Sequence, residues 1–423
     1  MYLRKLTLTN FRVFESLTWA LDSGEEAGWH VLLGSNGSGK SSFLRAAAIA
    51  FTGSIEFGAA GRPNHDFIRR AEGVNEAKVD IMVAQDRNWD DWAQGRPASN
   101  SEFEVGIVLR SNDLLQATGK YGNRTLWDSN VKGWFSAAFG PMRRFTGGNP
   151  ENIRLYTSYK RLSRHLSIFH ENVALTEALH WLQQLRFKQL ERGSAVLPLL
   201  ERVRAFVNQD DFLPYGVKLG EVTSEGVQFI DGNGVGLPVV ELSDGYRAVL
   251  SMTFELIRLM ADRYGESTNL FSDDGTSIRA PGVVLIDEID AHLHPSWQRE
   301  IGPWLTKHFP AVQFLVTTHS PYVCQTATKG SIWALPNPGN AEQSIRRIEG
   351  EQLQRVLYGD VLHVLNSEAF GGLPGRSSEA VDALDRLALL NMRQDTGNLT
   401  LSEDRERQGL ESKLAPVVAP TSS

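Results

Sequence analysis

The sequence predicts an α/β fold in which a mixed central sheet carries a phosphate-binding loop, beside an antiparallel β subdomain and a helical lobe, with no long coiled coil. Two apolar runs predict the sheet and one striped stretch predicts the lobe. Trp29 to Leu33 reads as a buried strand that breaks into Gly34-Ser35-Asn36-Gly37-Ser38-Gly39-Lys40-Ser41 ahead of a helix, and Val283-Val284-Leu285-Ile286 is a second strand ending in Asp287 and Glu288. Leu175 to Phe206 repeats apolar residues with helical period against a charged and glutamine-bearing face, broken near Gly193 and Pro198.

The elements follow in order. Leu3, Leu6 and Leu8 lead into Asn10-Phe11-Arg12 as an opening strand, with Ser16 to Leu21 as its partner. Behind the phosphate loop, Ser42 to Phe51 forms a helix. A break rich in Gly, Pro and Asn (Gly58 to Asn64) precedes strands at Val79–Val83 and Phe103–Leu109, which extend the sheet. Val227, Phe229 and the turn Gly232-Asn233-Gly234 predict a hairpin running into Leu242-Ser243-Asp244-Gly245, and the apolar-striped helix Tyr246–Arg263 follows. Beyond the loop Gly265–Pro281 come the buried strands 283–286 and Val312–Val316. Residues 1–330 therefore make one head, with a phosphate-loop lobe at 1–110 and 270–330 and a helical lobe at about 150–265. Residues 331–396 form a C-terminal helical region, and 397–423, polar and ending in Pro-Thr-Ser-Ser, a flexible tail.

The loop fits G-x-x-x-x-G-K-[ST], in which glycines let backbone N–H groups converge on phosphate oxygens. Asn36, Gly37, Ser38, Gly39 and Ser42 belong to that cradle, where side chains at Gly37 or Gly39 would obstruct the approach. Lys40 reaches the β- and γ-phosphates, the Ser41 hydroxyl reaches Mg²⁺, and the helix N-terminus adds its dipole. Asp287, at the carboxyl end of a strand, is expected in the Mg²⁺ shell. Glu288, one residue on, is placed to orient and deprotonate an attacking water. Ser243, Asp244 and Gly245 open a helix, where Ser or Asp can be a plain N-cap or part of an anion site. Asp287, Glu288, Asp290, His292 and His294 also admit reading as a transition-metal cluster.

A chain of 423 residues with 41% hydrophobic content buries a full core. One cysteine, Cys324, excludes a disulfide framework within the chain and a cysteine zinc site, as expected of a cytoplasmic protein. No apolar run approaches the roughly 18 residues of a spanning helix, and Arg4, Lys5, Asn10 and Arg12 interrupt any signal-peptide core. No membrane partner is expected. A net charge of −7 leaves only local patches for DNA: Arg69-Arg70, Arg143-Arg144, and Lys160-Arg161 with Arg164, where Tyr156 and Tyr159 also lie.

Phosphate loop, Ser-x-Gly helix, Asp-Glu strand end and the strand end Phe314-Leu315-Val316-Thr317-Thr318-His319-Ser320 stand in the order of the ABC-type ATPases. Asn10-Phe11-Arg12, Leu293-His294-Pro295 and Thr317-Thr318-His319-Ser320-Pro321 make the chain resemble the RecF/SMC/OLD branch, over roughly 1–55 and 235–330. The resemblance implies a P-loop NTPase fold with an ABC-type ATPase head, ATP and Mg²⁺ as cofactors, and ATP hydrolysis. It also implies a head-to-head homodimer with Lys40 of one subunit facing Ser243 of the other. On the same ground Arg12 is assigned to nucleotide, His319 to the γ-phosphate, and Asp290 to a possible contact across the interface. The glutamine that usually reaches magnesium after a sheet strand is best matched by Gln85, with Lys78 as the rival position.

Only 203 positions separate Lys40 from Ser243, too few for coiled-coil arms, so the head is armless. The 104 residues after His319 contain no Asp-x-Asp, so no nuclease activity is expected of the chain itself. Compact heads of this kind resemble the PtuA family of ATPase subunits in Septu anti-phage systems, which work with an HNH nuclease. The rival readings are a RecF-like DNA-repair ATPase, a nucleotide-gated scaffold with little turnover, and a transporter ATPase subunit.

Overall fold

The computed structural model describes residues 1–93, 101–143, 155, 158–170, 177–192, 199–210, 212–213, 216–265, 270–339, 344–361, 364 and 377–418. It divides into two units, Met1–Val361 and Leu362–Ser423.

A three-stranded ribbon belongs to the lobe of the first unit, and two large sheets build its body. One is antiparallel, in the order β2-β1-β4-β5-β6, made of β1 (Tyr2–Phe11), β2 (Phe14–Ala20), β4 (Glu76–Ala84), β5 (Glu102–Arg110) and β6 (Leu115–Thr118). The other runs β14-β13-β3-β12-β11-β7 and contains β3 (Gly28–Leu33), β7 (Ser136–Phe139), β11 (Gly282–Ile286), β12 (Val312–Thr317), β13 (Gly330–Ala334) and β14 (Arg346–Arg347). Its pairings are parallel except that of β13 with β14. Every residue of β3, β11 and β12 is buried, the pattern of strands covered on both faces.

Helix α1 (Lys40–Thr52) packs against strands of both sheets, which explains its composition. Ala46, Ala47, Ala48 and Ala50 are fully buried, and small side chains let both sheets approach the helix axis closely. Helix α2 (Ser54–Gly58) follows directly. Helix α3 (Lys160–Phe169) lies on β7 and α1 and gives Leu162, Leu166, Ile168 and Phe169 to the same core. It belongs to the body of the head, although residues from about 150 onward were assigned to the helical lobe.

The lobe consists of α4 (Glu177–Arg192), α5 (Leu199–Val207), the antiparallel ribbon β8 (Lys218–Val222), β9 (Val227–Ile230) and β10 (Gly236–Pro238), and α6 (Asp244–Tyr264). The predicted turn closes the ribbon, with Asp231 Oδ1 accepting from the N–H groups of Asn233 and Val235. Helices α7 (Pro295–His308), α8 (Pro321–Gln325) and α9 (Gly350–Tyr358) complete the unit.

Two sequence expectations are corrected here. Val79–Val83 and Phe103–Leu109 are strands, but they pair with β1 in the antiparallel sheet and not with the phosphate-loop strand. The region assigned to helix after 330 begins with β13 and β14, because Ser331, Ile332 and Trp333 pair with His30, Val31 and Leu32 at the sheet's far side.

The second unit holds α10 (Ser378–Asp395) and α11 (Leu401–Val418), joined by ion pairs from Arg386 to Glu406 at 2.8 Å and from Arg393 to Glu403. The expected flexible tail is thus largely a helix. A capping box starts it: Thr400 N donates to Glu403 Oε2 at 2.9 Å and Glu403 N donates to Thr400 Oγ1 at 3.2 Å. The longest described helix, α6, has 21 residues.

Candidate functional site

The site is built where β3, β12 and β11 end side by side. Register pairs Ile286 with Val316 and Thr317 with Leu32, so Asp287, Thr317 and the start of the glycine loop leave one edge together. Gly37 and Gly39 take φ of 83° and 94°, which favours glycine. A Cβ on Gly39 would stand 2.4 Å from Phe14 Cζ and 2.6 Å from Val13 Cγ2, so the turn between β1 and β2 fits only a bare α-carbon. Packing alone therefore demands Gly39.

Three oxygens meet at the base of the loop. Ser41 Oγ donates to Asp287 Oδ1 at 3.1 Å, and Thr317 Oγ1 donates to the same oxygen at 2.6 Å. Thr317 Oγ1 also accepts from Glu288 N at 2.8 Å, so one hydroxyl fixes both acids. Thr317 lies in the strand end before His319, where nothing local in the sequence marks it for this role. Lys40, buried, donates to Gly34 O at 2.7 Å and Ser35 O at 3.2 Å. Burial lowers its pKa, and the nearby charges of Asp287, Glu288 and Asp290 oppose that shift. The Ser38 Oγ is buried without a hydrogen-bond partner, an orphan that an anion in the cradle would satisfy. Asn36 is exposed at the loop tip and Ser42 is buried.

Glu288 has φ of 48°, and its side chain is half-buried. His319 is exposed overall; the partial burial of its ring lowers its pKa first, then the charge of Lys40, and both favour the neutral imidazole. Asp287, Glu288 and Asp290 lie close enough to act on it as well. Asp290 Oδ1 accepts from Thr318 Oγ1 at 2.5 Å. The donors fit magnesium, a hard cation that takes one or two carboxylates with phosphates and water, since Ser41 and Asp287 offer oxygens only. Among the described residues no three His, Cys, Asp or Glu side chains gather as a metal cluster, and His294 instead caps α7 by accepting from Ser296 N at 3.3 Å.

Gln85 is corrected. Ala84 pairs with Tyr2, at the opposite end of β1 from Phe11 and the turn that touches Gly39, about 30 Å away. There the Gln85 Nε2 donates to Asp90 O at 2.6 Å. The strand beside β11 is β7, whose Phe139 O accepts from Asp287 N at 2.8 Å, and the residues after it are Gly140, Pro141, Met142 and Arg143.

The basic patches are corrected too. Arg143 is 5% exposed and donates to backbone carbonyls of Asp287, Glu288, Ile289 and Ala291. Burial pushes its pKa down to about 10, against the pull of Asp287, Asp290 and Glu288, so it stays a cation. Arg161 pairs with Glu56 at 2.7 Å, and Arg164, also buried, donates to Ser136 O at 3.1 Å. These three cannot track a DNA backbone. Arg144 and Tyr156 lie outside the described residues. Arg69 donates to Val13 O at 3.0 Å, while Arg70 and Lys160 are exposed.

Arg12, at φ 52°, sits beside α1 within the fields of Arg45, Asp66, Arg62 and Arg70. A cavity of about 320 Å³ opens next to Gly37 and Ser38, walled by Phe14, Arg69 and Pro336–Gly339. Asn337 Oδ1 accepts from Ser35 Oγ at 3.1 Å, tying that last segment to the loop. Ser243 is the exposed N-cap of α6 and its side chain makes no cap bond. Gly245 lies against the loop after the acids, where a Cβ would stand 2.9 Å from His292 O, and Ser243 shares a cavity of about 210 Å³ with Leu293, His294 and Trp297.

Among the described residues no helix is long and apolar enough to cross a membrane. Residues 30–325 match the family described as "AAA domain, putative AbiEii toxin, Type IV TA system". The chain is 46% identical over 108 residues to "Retron Ec83 probable ATPase" of Escherichia coli, covering 26% of this chain and 19% of that one. It is 24% identical over 337 residues to the Septu protein PtuA of Bacillus mycoides (strain KBAB4), covering 79% of this chain and 40% of that one. The matches thus span about a fifth and two fifths of these relatives. An SMC head solved with the C-terminal winged-helix domain of ScpA superposes with a TM-score of 0.50 at 13% identity, covering 84% of this chain and 100% of that one, a likeness of fold. The chain belongs to this AAA-domain family, and a retron ATPase and a Septu PtuA protein are among the proteins it resembles.

Proposed function

We propose that this chain is a Mg²⁺-dependent ATPase subunit whose ATP sites are completed by a second copy, and whose nucleotide state governs an effector, an HNH-type nuclease, in cytoplasmic anti-phage defence. The observation that carries the reading is the junction of Ser41, Asp287 and Thr317, with Glu288 held one residue beyond Asp287. The loop N–H groups and Lys40 bind the phosphates, and the adjoining cavity receives the rest of the nucleotide. Ser41 and Asp287 would hold Mg²⁺, which when bound offsets the phosphate charge. Glu288 orients a water and takes its proton as the oxygen attacks the γ-phosphorus and the bond to ADP breaks. His319, neutral, donates to the γ-phosphate. Ser243, Asp244 and Gly245 approach the same phosphate from the other subunit, the helix N-terminus supplying its dipole. Defence is supported by the likeness of the chain to the Septu and retron relatives. The burial of Arg143, Arg161 and Arg164 weighs against the DNA-repair reading.

Glu288→Gln tests it against wild type. The expected variant binds ATP, releases phosphate at least about a hundredfold more slowly, and runs at twice the monomer mass in light scattering with ATP. Equal phosphate release would remove Glu288 from the chemistry, and a monomer with ATP would remove the composite site. Coexpression with untagged neighbouring genes tests the effector: a small nuclease retained on the tagged chain supports it, and tight DNA binding with none retained favours repair.

A further inference from the structure

We infer that Arg143 is a positioning residue for hydrolysis, its guanidinium holding the backbone from Asp287 to Ala291 in the shape that presents the Glu288 carboxylate to the reacting water. The inference deepens the ATPase reading and rests on it. Arg143 stands on the segment leaving β7, the strand paired with β11. Its Nη1 donates to Gly140 O at 3.0 Å and Asp287 O at 2.9 Å, and its Nη2 donates to Glu288 O at 2.9 Å, Ile289 O at 3.3 Å and Ala291 O at 3.4 Å. All five of these bonds end on main-chain carbonyls, four of them in one turn.

That turn needs such a clasp. Glu288 and His292, at φ 48° and 67°, both adopt the left-handed region that side chains with a β-carbon disfavour, so the surroundings must over-determine the bends. Inside the turn Ala291 N donates to Glu288 O at 2.9 Å, and Ile289 N donates to Thr317 O at 3.0 Å. The carbonyls of Asp287, Glu288, Ile289 and Ala291 accept from the guanidinium, and that of Asp290 from Leu293 N. A planar fork with five N–H groups can serve several acceptors spread in an arc, whereas an ammonium is a compact charge on a flexible stem. Arg143 touches neither the phosphate loop nor Lys40 through any of these bonds, so its removal acts on the acids and leaves the cradle.

The test uses the full chain as wild type, Arg143→Gln, Arg143→Lys, Glu288→Gln, and each Arg143 variant combined with Glu288→Gln. The Kd of a fluorescent ATP analogue, the single-turnover hydrolysis rate and the melting temperature are measured for each. Arg143→Gln is expected to hydrolyse about ten- to a hundredfold more slowly, the loss that misplacing a reacting group brings, with its Kd within about threefold of wild type. Arg143→Lys falls between the two. The double variants are expected to be no slower than Glu288→Gln alone, because a residue acting through Glu288 has nothing left to position. A parallel loss of rate and affinity, or a further loss in the double variants, overturns the inference. Should Arg143→Gln not fold, Arg143→Lys carries both comparisons. A wild type that releases no phosphate sinks the ATPase reading itself, while an active wild type matched by Arg143→Gln sinks this inference alone.

Discussion

Replacing Glu288 by glycine and by alanine separates the chemistry of its carboxylate from the strain of its backbone. At φ 48° an L-residue is disfavoured by about 1–2 kcal/mol, and glycine by almost nothing. Against this, glycine adds about 0.4–1 kcal/mol of conformational freedom to the unfolded chain. The glycine variant is therefore expected to exceed the alanine variant in stability by about 0.5–1 kcal/mol. The unit Met1–Val361, melting as one body, has an unfolding entropy of about 0.8 kcal/mol per kelvin, so the two melting temperatures differ by about 1 °C. Both variants lose the carboxylate, and phosphate release falls about 10²- to 10⁴-fold in each. Differential scanning calorimetry without nucleotide reads the first effect and a coupled phosphate assay the second. An alanine variant melting at or above the glycine variant would show that the bend is not strained, and turnover surviving in either would show that Glu288 is not the base.

Gly39→Ala is expected to cost about 3 kcal/mol and to abolish ATP binding, because its Cβ meets Phe14 and Val13 at a positive φ. Gly37→Ala meets only Pro338 Cγ at 3.4 Å and should cost about 1 kcal/mol; equal melting of the two would refute the packing argument. Thr317→Val leaves Glu288 N without its acceptor, at a cost of about 1–3 kcal/mol in chemical denaturation, and slows hydrolysis about tenfold, whereas Thr317→Ser retains both. A serine variant as slow as valine would contradict this. The pH dependence comes from His30 and His165, held neutral by burial with pKa values of about 4 and about 3. His30 donates from Nε2 to Glu26 O and accepts at Nδ1 from Ser331. Both pKa values are depressed, so the stability they confer is full above the unfolded value near 6.5 and is lost as pH falls toward 4. By pH 5.5 the loss is about 3 kcal/mol, seen as a drop in melting temperature that His30→Gln with His165→Gln should flatten.

The parts of the site that were legible are those in which neighbouring residues do the work. Gly34 to Ser41 makes its own backbone cradle, and Val283 to Glu288 carries strand and acids in one run. What was not legible depends on pairing across the chain. Ser136–Phe139 is four residues without branching at Cβ, and nothing local marks it as the neighbour of β11. The alternation of Val79, Ile81 and Val83 revealed a strand but neither its sheet nor its direction, so Gln85 was assigned to the wrong end. Arg143, Arg161 and Arg164 read in the sequence as basic patches open to DNA. Each is instead buried where carbonyls would otherwise lack donors, a competition that only the fold reveals.

The segment from Asp287 to His294 is where these separate findings meet. Its first residue is fixed by Ser41 and Thr317, its carbonyls by Arg143, and His292 O lies against Gly245 at the start of α6, where a side chain would not fit. Two positive-φ bends, at Glu288 and His292, bracket it. A packed turn fixed on three sides does not deform gradually, so a shift at Asp287 must either be absorbed at Arg143 or reach His292 and the Ser243 end of α6. In the proposed dimer that end faces the other subunit's phosphate. The same turn that positions the water-activating acid in one site would then carry its state to the second, and the coupling of the two sites would run through backbone contacts rather than through any conspicuous side chain.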